Sequence, residues 1–172
     1  MQTAVVGGGC FWCLEAIFKR VKGVKKVESG YAGGRRKNPT YEQVCTGTTL
    51  HAEVVKIEFD ENIISYKEIL DIFFEIHDPT QLNRQGNDIG TQYRSIILYL
   101  DDTQKEIALK KIEELKSKNI IPTTEVKKLD TFYKAEEYHQ NYFENNPNNP
   151  YCQYIVKPKI EKFLRSYNGK IK

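Results

Sequence analysis

The sequence predicts an α+β fold: a two-layer α/β sandwich in which helices pack on a mixed, mostly antiparallel sheet with a ferredoxin-like core. Two observations carry this reading. Apolar periodicity gives the element order β-α-β-β-α-β-α-β-α along 172 residues. The strands at Val24–Tyr31 and Ala52–Phe59 follow one another with no crossover helix between them, so they do not form the parallel unit of a doubly wound sheet. The length suits one domain over 1–172, and no internal repeat or low-complexity tract divides it.

The first strand, Thr3–Gly8, runs into a glycine turn. Phe11, Leu14, Ile17, Phe18 and Val21 then recur at helical spacing, and Gly23 closes that helix. Residues 32–51 read as loop with a short helical turn at Tyr41–Val44. In Ala52–Phe59, Val55, Ile57 and Phe59 share one face and Lys56 and Glu58 the other. Ser65 with Glu68 makes a capping box for a helix reaching His77. Asp78–Tyr93 lacks periodicity, and loops of this length in compact domains are usually functional. A strand at Arg94–Leu100, a polar helix at Asp102–Lys118 and a strand at Glu125–Leu129 follow. Ala135–Phe143 reads as a helix broken by Asn145–Pro150, and Pro158 reads as the first residue of a last short helix.

A net charge of +3, from 26 basic and 23 acidic residues dispersed along the chain, gives no concentrated basic face for nucleic acid. The opening MQTAVVGGGC has neither a basic leader nor a long apolar run. The expectation is a cytoplasmic protein with no membrane partner. In a reducing compartment its 4 cysteines are catalytic or metal-binding rather than disulfide-bonded.

Cys10 is the candidate nucleophile. A strand ends, glycines turn the backbone, and a helix begins at the cysteine. Free N–H groups and the helix dipole favour negative charge there, and a thiol of ordinary pKa ~8.5 can fall to about 3.5–7.5. Trp12 does not match the buried face of that helix and points to a surface pocket, whereas Phe11 serves core and pocket alike. Cys13 completes a CxxC spacing found in redox dithiols and zinc sites, but Cys45 and Cys152 are single and no histidine stands at ligand spacing to either. No metal and no cofactor is expected. Glu53 shares the strand face of Val55, Ile57 and Phe59, where an exposed carboxylate would be the wrong residue.

Six blocks in order now carry a resemblance. GCFWC (Gly9–Cys13), GYAGG (Gly30–Gly34), NPTYEQVCTG (Asn38–Gly47), HAEVV (His51–Val55), DIGTQYRS (Asp88–Ser95) and AEEYHQNY (Ala135–Tyr142) resemble the A-type peptide methionine sulfoxide reductases over nearly the whole chain. The resemblance implies reduction of the S epimer of methionine sulfoxide, free or in proteins, recycling by thioredoxin, and a monomer. It implies Cys10 as nucleophile, leaving a sulfenic acid, with Glu53 as acid on the oxygen beside the hydroxyls of Tyr41 and Tyr93. A carboxyl of ordinary pKa ~4.3 must rise about two units for that role, which burial supplies. Phe11 and Trp12 match the methyl pocket, and Asp88 and His139 match positions that hold the substrate backbone or order the site. Cys152 matches the recycling cysteine, in a segment of about 145–172 read as mobile. Cys13, where many members carry glycine, is either a packing residue or a secondary thiol, so Cys152 is favoured as resolver without excluding Cys13. Cys45, His51 and His77 are read as structural.

Overall fold

The computed structural model describes residues 1–172, the side chain of Asn168 excepted. In chain order the elements are β1 (Gln2–Gly7), α1 (Phe11–Phe18), β2 (Val24–Ala32), α2 (Tyr41–Cys45), β3 (Ala52–Phe59) and α3 (Tyr66–Ile76). A small hairpin, β4 (Arg84–Gln85) and β5 (Asp88–Ile89), precedes β6 (Ile96–Tyr99), α4 (Asp102–Ser117), β7 (Glu125–Lys128) and β8 (Tyr133–Lys134). The chain closes with α5 (Tyr142–Asn145), a π-helical turn at Cys152–Val156 and α6 (Lys157–Ser166).

The main sheet has six strands in the order β7-β6-β1-β3-β2-β8. Only β6 and β7 pair in parallel; the other four pairings are antiparallel. The inner order β6-β1-β3-β2 is the split βαβ arrangement: β1 and β2 flank β3, and α1 carries the crossover between them. The predicted α+β sandwich is therefore present, and the two strands without a crossover helix between them, β2 and β3, pair antiparallel. Strand alternation separates two apolar layers. Ala4, Val6, Val55, Ile57, Phe59 and Ile97 face the helices, with Phe11, Leu14, Ile17 and Phe73 packed against them. Val5, Ala32, Ala52, Val54, Ile96 and Leu98 face the other way, under Leu129 and Phe132. Among the described residues no helix is long and apolar enough to cross a membrane.

Three sequence expectations are corrected. The first helix closes at Phe18 rather than running to Gly23; Arg20 and Val21 donate to carbonyls three residues back, tightening the turn.

Ala135–Phe143 is not one helix: a 3₁₀ turn at Glu137–His139 is followed by the four-residue α5. The cause is tertiary. The Gln140 amide inserts beside β2, accepting from Ser29 N–H at 3.0 Å and donating to the carbonyls of Ser29 and Ala135 at 3.0 Å. It completes a sheet edge that a helix there would leave unpaired.

The last helix does not start at Pro158. Helical backbone runs from Pro150 to Ser166, and Asn149 caps it, its Oδ1 accepting from Tyr151 N–H at 2.9 Å and Cys152 N–H at 3.4 Å. The preference for proline at the first helical position holds, but at Pro150. Pro158 lies inside, just after the π turn, where widened backbone accommodates a residue without an N–H. Cys152 is consequently not in a mobile coil; it is helical and fully buried.

Candidate active site

The site forms where the central strands β1 and β3 deliver their ends together. Val6 pairs with Val55, so the residues after β1 stand beside the start of β3, which holds Glu53. Each glycine of the turn answers a specific neighbour. A Cβ on Gly7 would lie 2.5 Å from the Glu53 carbonyl, and one on Gly8 would lie 2.7 Å from the His77 ring. Gly9 has φ +80° and donates its N–H to the Tyr93 carbonyl at 3.0 Å.

Cys10 is the N-cap of α1, in extended conformation, and only 9% exposed. The next N–H, that of Phe11, donates to Glu53 Oε1 at 3.2 Å. Glu53 is 1% exposed, stands opposite Tyr31 in the β2–β3 register, and has its pKa raised to about 8. Burial is the main cause; the Phe11 N–H opposes it and the charge of Asp88 adds to it.

The expectation of a resting Cys10 thiolate is corrected. Burial raises its pKa well above the ordinary thiol value, and Glu53 and Cys13 push the same way. Only the Trp12 N–H pulls it down appreciably, because Glu53 occupies the Phe11 N–H. Desolvation outweighs the field of an eight-residue helix. Tyr41 and Tyr93 are half-buried, and both hydroxyls are raised above the usual phenol range, first by burial. The charge of Glu53 reaches both, and that of Cys10 reaches Tyr93.

An aromatic wall closes the other side. Phe11 is fully buried, its ring 5.7 Å from Tyr31 and 5.1 Å from His139. Half-buried Trp12 stacks on Tyr142 at 3.7 Å, with Tyr151 edge-on at 5.7 Å. Its indole N–H donates to His139 Nδ1 at 3.1 Å. Indole only donates, so His139 carries its hydrogen on Nε2. His139 is 1% exposed, burial lowers its pKa, and Nε2 has no partner among the described residues. Asp88, on β5, accepts from the Tyr151 hydroxyl.

All four cysteines are free thiols. Cys13 is buried and donates its N–H to the Cys10 carbonyl at 3.2 Å; burial, opposed by Lys159, takes its thiol to about 11. Cys45, read as structural, is exposed at the end of α2 near the Tyr41 hydroxyl and packs into no core. His77 bonds Phe73 O and Ser95 Oγ, and His51 bonds Gly34 N–H and Arg36 O, as structural histidines do.

This geometry joins a buried neutral acid, a shielded thiol, hydroxyl donors and an apolar wall. The profile of the family described as peptide methionine sulfoxide reductase matches residues 2–172.

The chain belongs to that family.

Among curated members, the peptide methionine sulfoxide reductase MsrA of Nautilia profundicola is 69% identical over 168 residues, covering 98% of this chain and 97% of its own. That of Saccharolobus solfataricus is 55% identical, covering 100% and 98%. Among solved structures, methionine sulfoxide reductase A of Corynebacterium diphtheriae aligns with TM-score 0.80 at 37% identity, covering 89% of this chain and 78% of its own. Mxr1 of Saccharomyces cerevisiae in complex with Trx2 aligns with TM-score 0.55 at 26% identity, covering 82% and 84%.

The sequence reading of this family member missed Tyr31, Glu136, Tyr142 and Tyr151. Tyr31 was accessible from strand alternation, since it falls opposite Glu53. Tyr142 is the last residue of a named block and Tyr151 adjoins a named cysteine, but their packing on Trp12 is a tertiary fact.

Proposed function

We propose that this protein reduces the S epimer of methionine sulfoxide, free and in proteins, to methionine, with thioredoxin as the reductant. The observation that carries the reading is Glu53: a carboxyl 1% exposed, near-neutral in pKa, tied to the residue after the candidate nucleophile. Such a group holds a proton for an oxygen that develops negative charge.

Cys10 attacks the sulfoxide sulfur as thiolate while Glu53 gives its proton to the oxygen. The S–O bond breaks, the hydroxyl passes to Cys10 as a sulfenic acid, and the thioether leaves. The proton lost by the Cys10 thiol restores Glu53. The sulfoxide is reduced by two electrons and the cysteine oxidised by two. Tyr41 and Tyr93 supply further O–H groups toward that oxygen, and Phe11 and Trp12 form the methyl pocket. The unpartnered Nε2–H of His139 and the carboxylate of Asp88 orient the substrate backbone.

Cys152 then attacks the sulfenic acid, water leaves, and a disulfide forms for thioredoxin to reduce. Because Cys152 is buried in a helix, this requires the first turns after Pro150 to open. A second reading gives Cys13 the first attack, favoured by its place three residues along the same turn, where no such opening is needed. The free thiols support a reducing, cytoplasmic setting, and we read the protein as a monomer needing no cofactor.

The test is turnover of separate R and S methionine sulfoxides with dithiothreitol. Turnover of the S epimer alone is expected; no activity on either sinks the proposal, and activity on R alone reverses the epimer assignment.

A further inference from the structure

We infer that Glu136, a residue outside the reacting groups, is the positioning residue for the Tyr41 hydroxyl, through a carboxylate bridge between β2 and α2. Its Oε1 accepts from the Tyr31 hydroxyl at 2.8 Å and its Oε2 from the Tyr41 N–H at 2.9 Å. The partners lie 105 and 95 residues away in sequence, so the bridge exists only in the folded site.

One end of the bridge is rigid. Tyr31 is fully buried, sits opposite Glu53 in the sheet register, and packs its ring against Phe11. The other end needs support. At five residues α2 is too short to hold itself, and nucleating such a helix is unfavourable. Its capping box joins Thr40 to Gln43 and leaves the Tyr41 N–H to an outside acceptor, which Glu136 provides. Burial alone would raise the Glu136 carboxyl, but the N–H of Tyr41, its own N–H and the Tyr31 hydroxyl together hold it below the usual carboxylate range. It is therefore ionised, and both bonds are charge-assisted.

With an oxygen engaged on each side, Glu136 is built as a strut rather than as a group presented to substrate. It fixes where α2 begins, and so where the Tyr41 ring stands: 4.4 Å from His139, with its hydroxyl in the field of Glu53. The inference rests on the assignment of Tyr41 as a hydroxyl donor to the sulfoxide oxygen.

The experiment measures methionine formed in a single turnover without reductant, over a range of sulfoxide concentrations, in the full chain. Glu136→Leu is the main variant, because it keeps much of the side chain's bulk and removes both accepting oxygens. Its limiting rate is expected to fall by roughly tenfold to a hundredfold, the order expected when a reacting group is misplaced by about an ångström. The half-saturating concentration should change by less than about twofold, since the aromatic wall is untouched. Tyr31→Phe, which frees the far end of the strut, should fall between wild type and Glu136→Leu. Placed on Tyr41→Phe, Glu136→Leu should cost less than about twofold more, because the hydroxyl that Glu136 positions is already gone. If Tyr41→Phe is slow but Glu136→Leu is not, or if the two losses multiply in full, the inference is overturned alone. If Tyr41→Phe keeps the wild-type rate, the Tyr41 assignment fails and takes the inference with it.

Discussion

The Phe11 N–H donates to Glu53 at 3.2 Å, so the first turn after Cys10 is fastened to the acid rather than to the thiol. Burial is what keeps Cys10 neutral, with that N–H turned to the acid instead of the thiol, and the same bond holds Glu53 near 8 rather than higher.

Glu53→Gln should lower the single-turnover rate by about 10²–10⁴-fold, the usual contribution of a positioned acid, with little change in half-saturation. In the wild type that rate should fall as pH rises through about 8, where Glu53 loses its proton; stopped-flow or quench kinetics in the variant should lack that limb.

Glu53 also sets a stability trend. Its folded pKa of about 8 exceeds its ordinary 4.5, so between those values the folded state binds the extra proton and stability falls as pH rises. Denaturant titrations from pH 5 to 8 should show this loss in the wild type and a flatter profile in Glu53→Gln. A buried His77, lowered to about 4, works in the opposite sense below pH 6.5 and is common to both proteins.

Trp12→Phe keeps a ring on Tyr142 but removes the donor to His139. One net hydrogen bond is about 1 kcal/mol, so kcat/KM on a peptide sulfoxide should fall about fivefold. His139→Phe should fall by a similar factor, and the double variant should be less than multiplicative. Full multiplication would mean that the indole and imidazole act separately.

Cys152→Ser should form one methionine per chain at the wild-type rate yet fail to cycle with thioredoxin. Cys13→Ser should retain both, and Cys10→Ser neither. A Cys13→Ser chain that stalls after one turnover would transfer the resolving role to Cys13.

Gly8→Ala should destabilise by about 1–3 kcal/mol, the usual cost of overpacking, read as a lower melting temperature. The added methyl would meet an imidazole fixed at both nitrogens, by Phe73 O and Ser95 Oγ, that cannot step aside.

Much of this was legible in the sequence because strand and helix periods report which side of a chain is inside. Glu53 betrayed itself as a carboxylate on an apolar strand face, and it is buried. That β2 and β3 form no parallel unit followed from a missing crossover helix, and they pair antiparallel. What could not be read depends on partners far along the chain. Nothing local says that Gln140 will complete the edge of β2, or that Glu136 will bridge Tyr31 and Tyr41. The same holds for Cys10: a helix start predicts a lowered pKa only if its N–H groups are free for the thiol, and Glu53 takes one. At Pro158 the positional rule was sound but met the wrong proline, because Asn149 caps Pro150.

The shielding of Cys10 bears on survival as much as on catalysis. In the unfolded chain this cysteine would be an ordinary thiol, open to peroxide; folding buries it to 9% exposure and suppresses its ionisation. Oxidants attack thiolates far faster than neutral thiols, and buried ones least of all. A cysteine concealed in this way rests in the form that oxidants consume most slowly.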